Sequence, residues 1–339
     1  MKYLSVCSGI EAASVAWKGL GWKAAGFSEI EKFPCEVLKY HFPTVPNFGD
    51  LTKHENWKIE RGTIDVICGG TPCQSFSVAG LRAGMADPRG NLALTFLSLC
   101  DRLRPEWIVW ENVPGVLSSN GGRDLGAFLG ALGQLGYGTA YRILDAQYFG
   151  VAQRRRRIFV VANLTDWRRA AAVLFEPESL RGDSAPRRKA GQGITAGAGI
   201  SVKTISDPVT SKWAKGAGGP AGDECQNLTL APAIPIQDGR GLDKGQNGLG
   251  IGGEGDPSYT LDTMGAASVA QAYAVRRLTT TECERLQGFP DGWTAIPFRG
   301  KPASDGPRYK AIGNSMAVPV MKWIGERIAI VDKATKGEG

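Results

Sequence analysis

The stretch "TIDVICGGTPCQSF", from Thr63 to Phe76, constrains the fold of this chain more than any other. An apolar run of Ile64, Val66 and Ile67 passes directly into two glycines, a proline and a cysteine. The glycine pair frees the backbone to turn sharply, and Pro72 fixes φ and removes a donor. A strand ending this way is expected at the mouth of an open α/β sheet, where such sheets hold their ligands. Read alone, Cys73 is described as well by an inert thiol in a turn as by a functional group held in place.

The same punctuation recurs along the first half. "KYLSVC" and "KAAGFSEI" read as strands, the second ending in Glu29. "IDVICGG" is a third strand, "PEWIVWENV" a fourth that ends in Glu111 and Asn112, and "RRIFVVANL" a fifth. Between them Ile10, Ala13, Trp17 and Leu20 fall on one helical face, and residues 92–103 form an apolar helix. Alternating strands and helices predict a mostly parallel sheet covered by helices. "SMAVPVMKWIGERIAIV" reads as a closing helix with Pro319 in its first turn, and "DKATKGEG" as a frayed tail.

Composition breaks this pattern after about residue 181. Of the 90 residues from 181 to 270, 18 are glycine, and Trp213 and Tyr259 are the sole aromatics. Such a segment cannot bury a large core and should be rich in loops. "LTLAPAIPIQ" and "SYTLDTM" favour a small irregular β module over a linker. The expected division is therefore 1–175, 176–272, a return to the first domain at 273–331, and a tail at 332–339.

Charge and cysteine use exclude several classes. Lys plus Arg is 40 against 33 for Asp plus Glu, and the segment 181–270 carries nine of each sign. The basic excess therefore lies elsewhere, most densely in "QRRRR" at 153–157, and is compatible with a polyanionic partner. Seven cysteines without a CxxC pair, with His41 and His54 the sole histidines, argue against a zinc site and for reduced thiols. No apolar run reaches about 18 residues and the start resembles no signal peptide, so no membrane span and a cytoplasmic location are expected.

Several residues sit where chemistry would need them. "CSGIEAAS" is a tight turn after the first strand and lacks GxGxxG, so no dinucleotide fingerprint is met. Glu29 stands where α/β folds place an acid for ribose hydroxyls, although a carboxylate at a strand end is as often simply solvated. Asp50 could meet an adenine or be an ordinary turn aspartate. Cys73 and Glu111 should emerge at one sheet edge. Acyl transfer by cysteine needs a histidine base, and neither histidine stands in such a motif. A thiol beside a carboxyl could instead attack an electron-poor ring while the acid neutralises a ring nitrogen. In "QRRRR" the strand period puts Arg155 and Arg157 on one face and Arg154 and Arg156 on the other. Arginines near a thiol favour its thiolate.

Together these segments resemble the DNA (cytosine-5)-methyltransferases of the bacterial and phage type. The resemblance rests on "GGTPCQSFS", "ENV" at 111–113, "AQRRRRIFVVA", "RRLTTTECERLQGFPDGW" at 276–293 and "YKAIGNSMAVP" at 309–319, in that order. It covers about 3–163 and 276–331, and leaves the glycine-rich segment as the family's variable target-recognition region. It implies a Rossmann-like S-adenosylmethionine-dependent methyltransferase sheet with a small, loop-rich β target-recognition domain. It implies Cys73 as nucleophile toward C6 of a flipped cytosine, with Glu111, Arg155 and Arg157 as catalytic partners. Gln74, Ser77, Asn112 and Gln153 would contact substrate. Cys7, Ser8, Gly9, Ile10, Glu29, Asp50, Gly70, Pro72, Leu92, Asn314 and Ser315 would assemble the cofactor site. S-adenosyl-L-methionine is the implied cofactor, without a metal. Double-stranded DNA is the implied partner of an expected monomer, with a cognate restriction endonuclease in the cell as a further possible partner. Transfer RNA as substrate, or a catalytically silent DNA-binding relative, are the alternatives. The first motif departs from the family's Asp-Leu-Phe and second glycine pair: Ser5, Val6 and Cys7 stand in its first three places and Glu11 and Ala12 in its last two.

Overall fold

The computed structural model describes residues 1–71, 92–175, 234–236, 268–271 and 274–337. Pro72, Cys73, Gln74, Ser77 and the run "SYTLDTM" lie outside the described residues. The first half contains strands β1 (Lys2–Val6), β2 (Lys23–Ser28), β3 (Val66–Gly69), β4 (Trp107–Asn112), β5 (Gly138–Asp145) and β6 (Arg156–Asn163). Helices α1 (Ala12–Trp17), α2 (Lys32–His41), α3 (Leu92–Leu103), α4 (Arg123–Gln134) and α5 (Trp167–Leu174) lie between or after them.

The six strands form one sheet in the order β2-β1-β3-β4-β6-β5. The first four are parallel, and β6 runs antiparallel to both β4 and β5. The central strands are apolar on both faces because helices cover both. Along β4, Trp107 and Val109 join one core with Trp17, Val173 and Ile324, whereas Ile108 and Trp110 join another with Leu97 and Phe128. The period of two thus splits a continuous apolar run between two helical layers. The chain leaves β1 for β2 on one side and returns to β3 on the other. The C-terminal ends of β1 and β3 therefore flank the point where the strand order reverses, the crevice in which open α/β sheets bind ligands.

The sequence reading located five of the six sheet strands but not β5, nor the helices α2, α4 and α5. "GTAYRILD" alternates weakly, and its pairing partner β6 supplies the order that its own pattern lacks. The second half holds a three-stranded antiparallel sheet of β7 (Ile234–Ile236), β8 (Ser268–Gln271) and β9 (Ala274–Arg277). β7 falls inside "LTLAPAIPIQ". Helix α6 (Thr280–Gln287), the short hairpin β10 (Pro297–Phe298) and β11 (Lys301–Pro302), α7 (Asp305–Asn314) and α8 (Val318–Lys336) complete the chain. The expected frayed tail is corrected: α8 continues to Lys336, five residues into it. The reason is an ion-pair network that sequence pattern does not reveal. Glu106 binds Arg169 at 2.8 Å and Lys336 at 2.9 Å, and Asp332 binds the same two cations at 2.9 Å each.

Candidate active site

The ends of β1, β3 and β4 and the α7–α8 junction form a cleft that opens to solvent. Its walls include Ser5, Cys7, Ser8, Gly9, Gly70 and Glu111 on the sheet side, and Asn314, Ser315 and Met316 opposite. The first turn is shaped by positive φ at Cys7 (49°), Gly9 (56°) and Glu11 (67°). Glu29 ties this turn down. Its Oε2 accepts from Gly9 N at 2.8 Å, and its Oε1 accepts from Ile30 N and Glu31 N, both at 2.8 Å. The acid expected to meet a ligand thus first holds the backbone that forms the turn. Burial and the Glu29 charge push the Cys7 thiol up to about 12, so it lines the cleft as a neutral group.

Glu111 faces the cleft from the end of β4, its side chain 12% exposed. Arg157 Nε donates to its Oε1 at 3.1 Å. Burial raises the Glu111 pKa, and the charges of Arg155 and Arg157 oppose that rise. Arg155 is 3% exposed and donates from Nη2 to the Ser315 carbonyl at 2.8 Å, while its Nε and Nη1 have no partner among the described residues. Burial, then the neighbouring Arg157, lowers its pKa to about 9. The strand alternation holds here: Arg155 and Arg157 turn inward, and Arg154 and Arg156 are exposed. A Cβ at Gly70 would lie 2.8 Å from Glu111 Oε2, so any larger residue here would displace the carboxylate.

The last described residue before Cys73, Thr71, is held at a fixed point. Thr71 Oγ1 accepts from Trp110 Nε1 at 2.9 Å, and its carbonyl accepts from Asn112 Nδ2 at 3.1 Å. Asn112 Oδ1 accepts from Val113 N at 2.8 Å, so both ends of this amide are used within the protein. Gln153, also expected at substrate, is fully buried and donates to the Leu286 carbonyl at 2.9 Å. Four expected cofactor residues, Ile10, Glu29, Asp50 and Leu92, do not line the described cleft. Ile10 is buried in the core, and Leu92 begins α3 and packs against the other core. Asp50 caps the turn that follows it, accepting from Thr52 N at 2.9 Å and Thr52 Oγ1 at 2.8 Å, which lowers its pKa.

Three participants escaped the sequence reading. Glu11 is wholly buried beside the first turn. Trp293 donates from its indole to the Ile10 carbonyl at 2.9 Å and stacks on His41 at 3.6 Å between centroids. Buried Glu284 fixes the loop bearing Trp293 by accepting from Gly292 N at 2.7 Å and Thr294 N at 2.8 Å. The one sequence signal for these was membership of "RRLTTTECERLQGFPDGW" and of the atypical first turn. Among the described residues no cluster of His, Cys, Asp and Glu could hold a metal ion, and no helix is long and apolar enough to cross a membrane.

The fold and cleft define an α/β enzyme of the Rossmann-like methyltransferase class. The C-5 cytosine-specific DNA methylase model matches residues 1–329, so the chain belongs to that family of DNA (cytosine-5-)-methyltransferases. A relative from Escherichia phage P1, named a DNA N-6-adenine-methyltransferase, is 38% identical over 460 aligned residues, covering 96% of this chain. This chain spans 61% of that relative's length. Type II methyltransferase M2.BsuMI of Bacillus subtilis is 28% identical, covering 97% of this chain and 75% of its own. A prophage-encoded E. coli DNA modification methyltransferase shares the fold, with a TM-score of 0.58 at 18% identity over 98% of this chain and 99% of that one.

Proposed function

We propose that the protein methylates C5 of cytosine in duplex DNA, with S-adenosylmethionine as methyl donor and Cys73 as covalent nucleophile. The observation that carries this reading is the Arg157–Glu111–Arg155 group at the edge of the cleft, one strand from the point where the Cys73 loop leaves the sheet. Cytosine C5 is a poor nucleophile until a group adds at C6. A thiol can add there only as its thiolate, and a thiol brought to the cleft beside the buried Arg155 and Arg157 would be favoured in that form. The Cys73 sulfur forms a bond to C6 as Glu111 neutralises the charge developing at N3. Arg157 keeps the Glu111 carboxyl aimed, and Arg155 holds the far wall through Ser315. After methyl transfer, loss of the C5 proton lets the C6–S bond break and returns the thiolate.

The residues present fit the donor. The walls combine small residues, the carbonyl-rich first turn and Asn314, and Gly70 leaves open the space a Cβ would fill against Glu111. S-adenosylmethionine, when bound, supplies an electrophilic methyl on a sulfonium. A duplex requires the base to be extruded before it can reach a buried carboxyl. The endonuclease partner and the monomeric state belong to the same proposal, and type II relatives support the first.

The name of the phage P1 relative raises a second reading, methylation of adenine N6. That amine is itself nucleophilic and needs no covalent thiol, which leaves Cys73 without a task. The test is to incubate the protein with duplex DNA and S-adenosylmethionine, digest to nucleosides and analyse them by mass spectrometry. 5-Methylcytosine is expected; N6-methyladenine as the product would replace this reading with the second. The same assay on transfer RNA separates the remaining alternative.

A further inference from the structure

Glu11 is a buried carboxyl that the reaction above does not use. It is 0% exposed, and its Oε1 accepts from Ser14 N and Ser14 Oγ, both at 2.9 Å. Among the described residues its Oε2 has no partner at hydrogen-bond geometry and no ion pair compensates the carboxyl, although the Ser5 hydroxyl is close enough to favour its ionised form. An uncompensated buried carboxylate is costly, and proteins keep such groups where the charge has a use. Its position suggests the use. Ser5 and Cys68 both line the cleft and both interact with Glu11, and Ala12, the next residue, lines it too. Glu11 therefore lies behind the part of the cleft wall that Ser5, Cys68 and Ala12 form.

The other groups around it cannot supply the missing positive charge. Tyr3 on β1 is bonded to Ser14 Oγ at 2.5 Å, and burial keeps its phenol neutral. Cys68 on β3 is likewise held neutral by burial. Cys7 and Glu29 on the same side of the cleft add no cation, and neither Arg155 nor Arg157 is among the groups that act on Glu11. From α8, the Met321 carbonyl meets Trp17 rather than Glu11.

We propose that Glu11 is a specificity-determining residue of this cleft, whose carboxylate favours the cationic sulfonium of S-adenosylmethionine over the neutral thioether of S-adenosylhomocysteine. The inference rests on the cofactor reading above. The two ligands share their ammonium, carboxylate and nucleoside, so the extra positive charge is the difference that Glu11 reads. Burial sets the free Glu11 pKa at about 7, so the group is poised to change protonation when a cation arrives. By linkage, a ligand that favours the ionised form is bound more tightly where that form prevails. A downward shift of one unit on binding would raise the affinity ratio of the two ligands about fivefold between pH 6 and 8. It would also release about half a proton at pH 6.5. The same charge loosens the hold on the reaction product.

The experiment is calorimetric titration of the whole protein with each ligand at pH 6.5, in two buffers of different ionisation enthalpy. S-adenosylmethionine is expected to release about half a proton more than S-adenosylhomocysteine, following the linkage above. Glu11→Gln should abolish that difference and flatten the pH dependence of the affinity ratio. Equal proton counts for both ligands on the wild type would overturn the inference without need of a variant. So would a difference that survives in Glu11→Gln. If neither ligand binds, the cofactor reading falls and this inference with it; if both bind with equal proton counts, the inference alone falls.

Discussion

Gly70→Ala isolates the geometry of the candidate site without removing any functional group. The added Cβ would lie 2.8 Å from Glu111 Oε2 and 3.4 Å from the Met316 methyl. The methyl contact is tolerable; the carboxylate contact is relieved only if Glu111 shifts. Glu111 must retreat by roughly half an ångström, and the 3.1 Å contact to Arg157 must stretch or turn with it. Overpacking of this kind costs about 1–3 kcal/mol of stability. The effect on chemistry should be larger, because a displacement near 1 Å can cost on the order of a hundredfold in rate. For half that displacement we expect about a tenfold fall in the single-turnover rate of methyl transfer at saturating cofactor. DNA affinity should change by less than about twofold, since no phosphate contact is touched. Rapid-quench methyl transfer and a filter-binding titration measure the two quantities. A variant that folds with wild-type melting temperature and keeps its rate within about twofold would refute the claim that Glu111 must stay where Gly70 lets it sit.

Two further outcomes follow from the residues that hold the first turn. Glu11 has a folded-state pKa of about 7 against an ordinary 4.5, so its contribution favours folding below the ordinary value and is lost as pH rises to about 7. Glu11→Gln should therefore gain stability relative to wild type on moving from pH 5 to pH 8, by up to about 3 kcal/mol, in urea melts at the two pH values; a gap that stays constant would contradict the burial argument. Trp293→Phe keeps the stack on His41 but leaves the Ile10 carbonyl without its donor, at a cost of about 1–3 kcal/mol. Calorimetry should show weaker cofactor binding while DNA binding without cofactor is unchanged, and the reverse pattern would remove Trp293 from the support of that turn.

How much of this could be read in the sequence depended on the range of the interaction. Arg155 and Arg157 were placed on one face by the period of a strand, a rule that acts over two residues, and both turn inward as expected. Helix 92–103 was likewise legible because its apolar face repeats locally. The task of Glu29 was not. Its three amide donors come from Gly9, 20 residues away, and from the start of α2. Asn112 was expected at substrate, and its amide also donates to the Thr71 carbonyl 41 residues earlier, a contact no local pattern could show. The tail escaped because helix formation there depends on Glu106 and Arg169, far back in the chain. Glu11 stood out only as a departure from a motif, and nothing local distinguished a buried carboxyl from a solvated one.

The central claim is that Cys73 attacks a cytosine ring beside Glu111. A duplex with 5-fluorocytosine at the methylated position tests it most directly, because fluorine cannot leave C5 as a proton does and the C6–S bond persists. The account predicts a stable, cofactor-dependent protein–DNA adduct whose tryptic peptide carries the modification on Cys73, and loss of that adduct in Cys73→Ser. An adduct through another cysteine, or methyl transfer to DNA with no adduct at all, would contradict it.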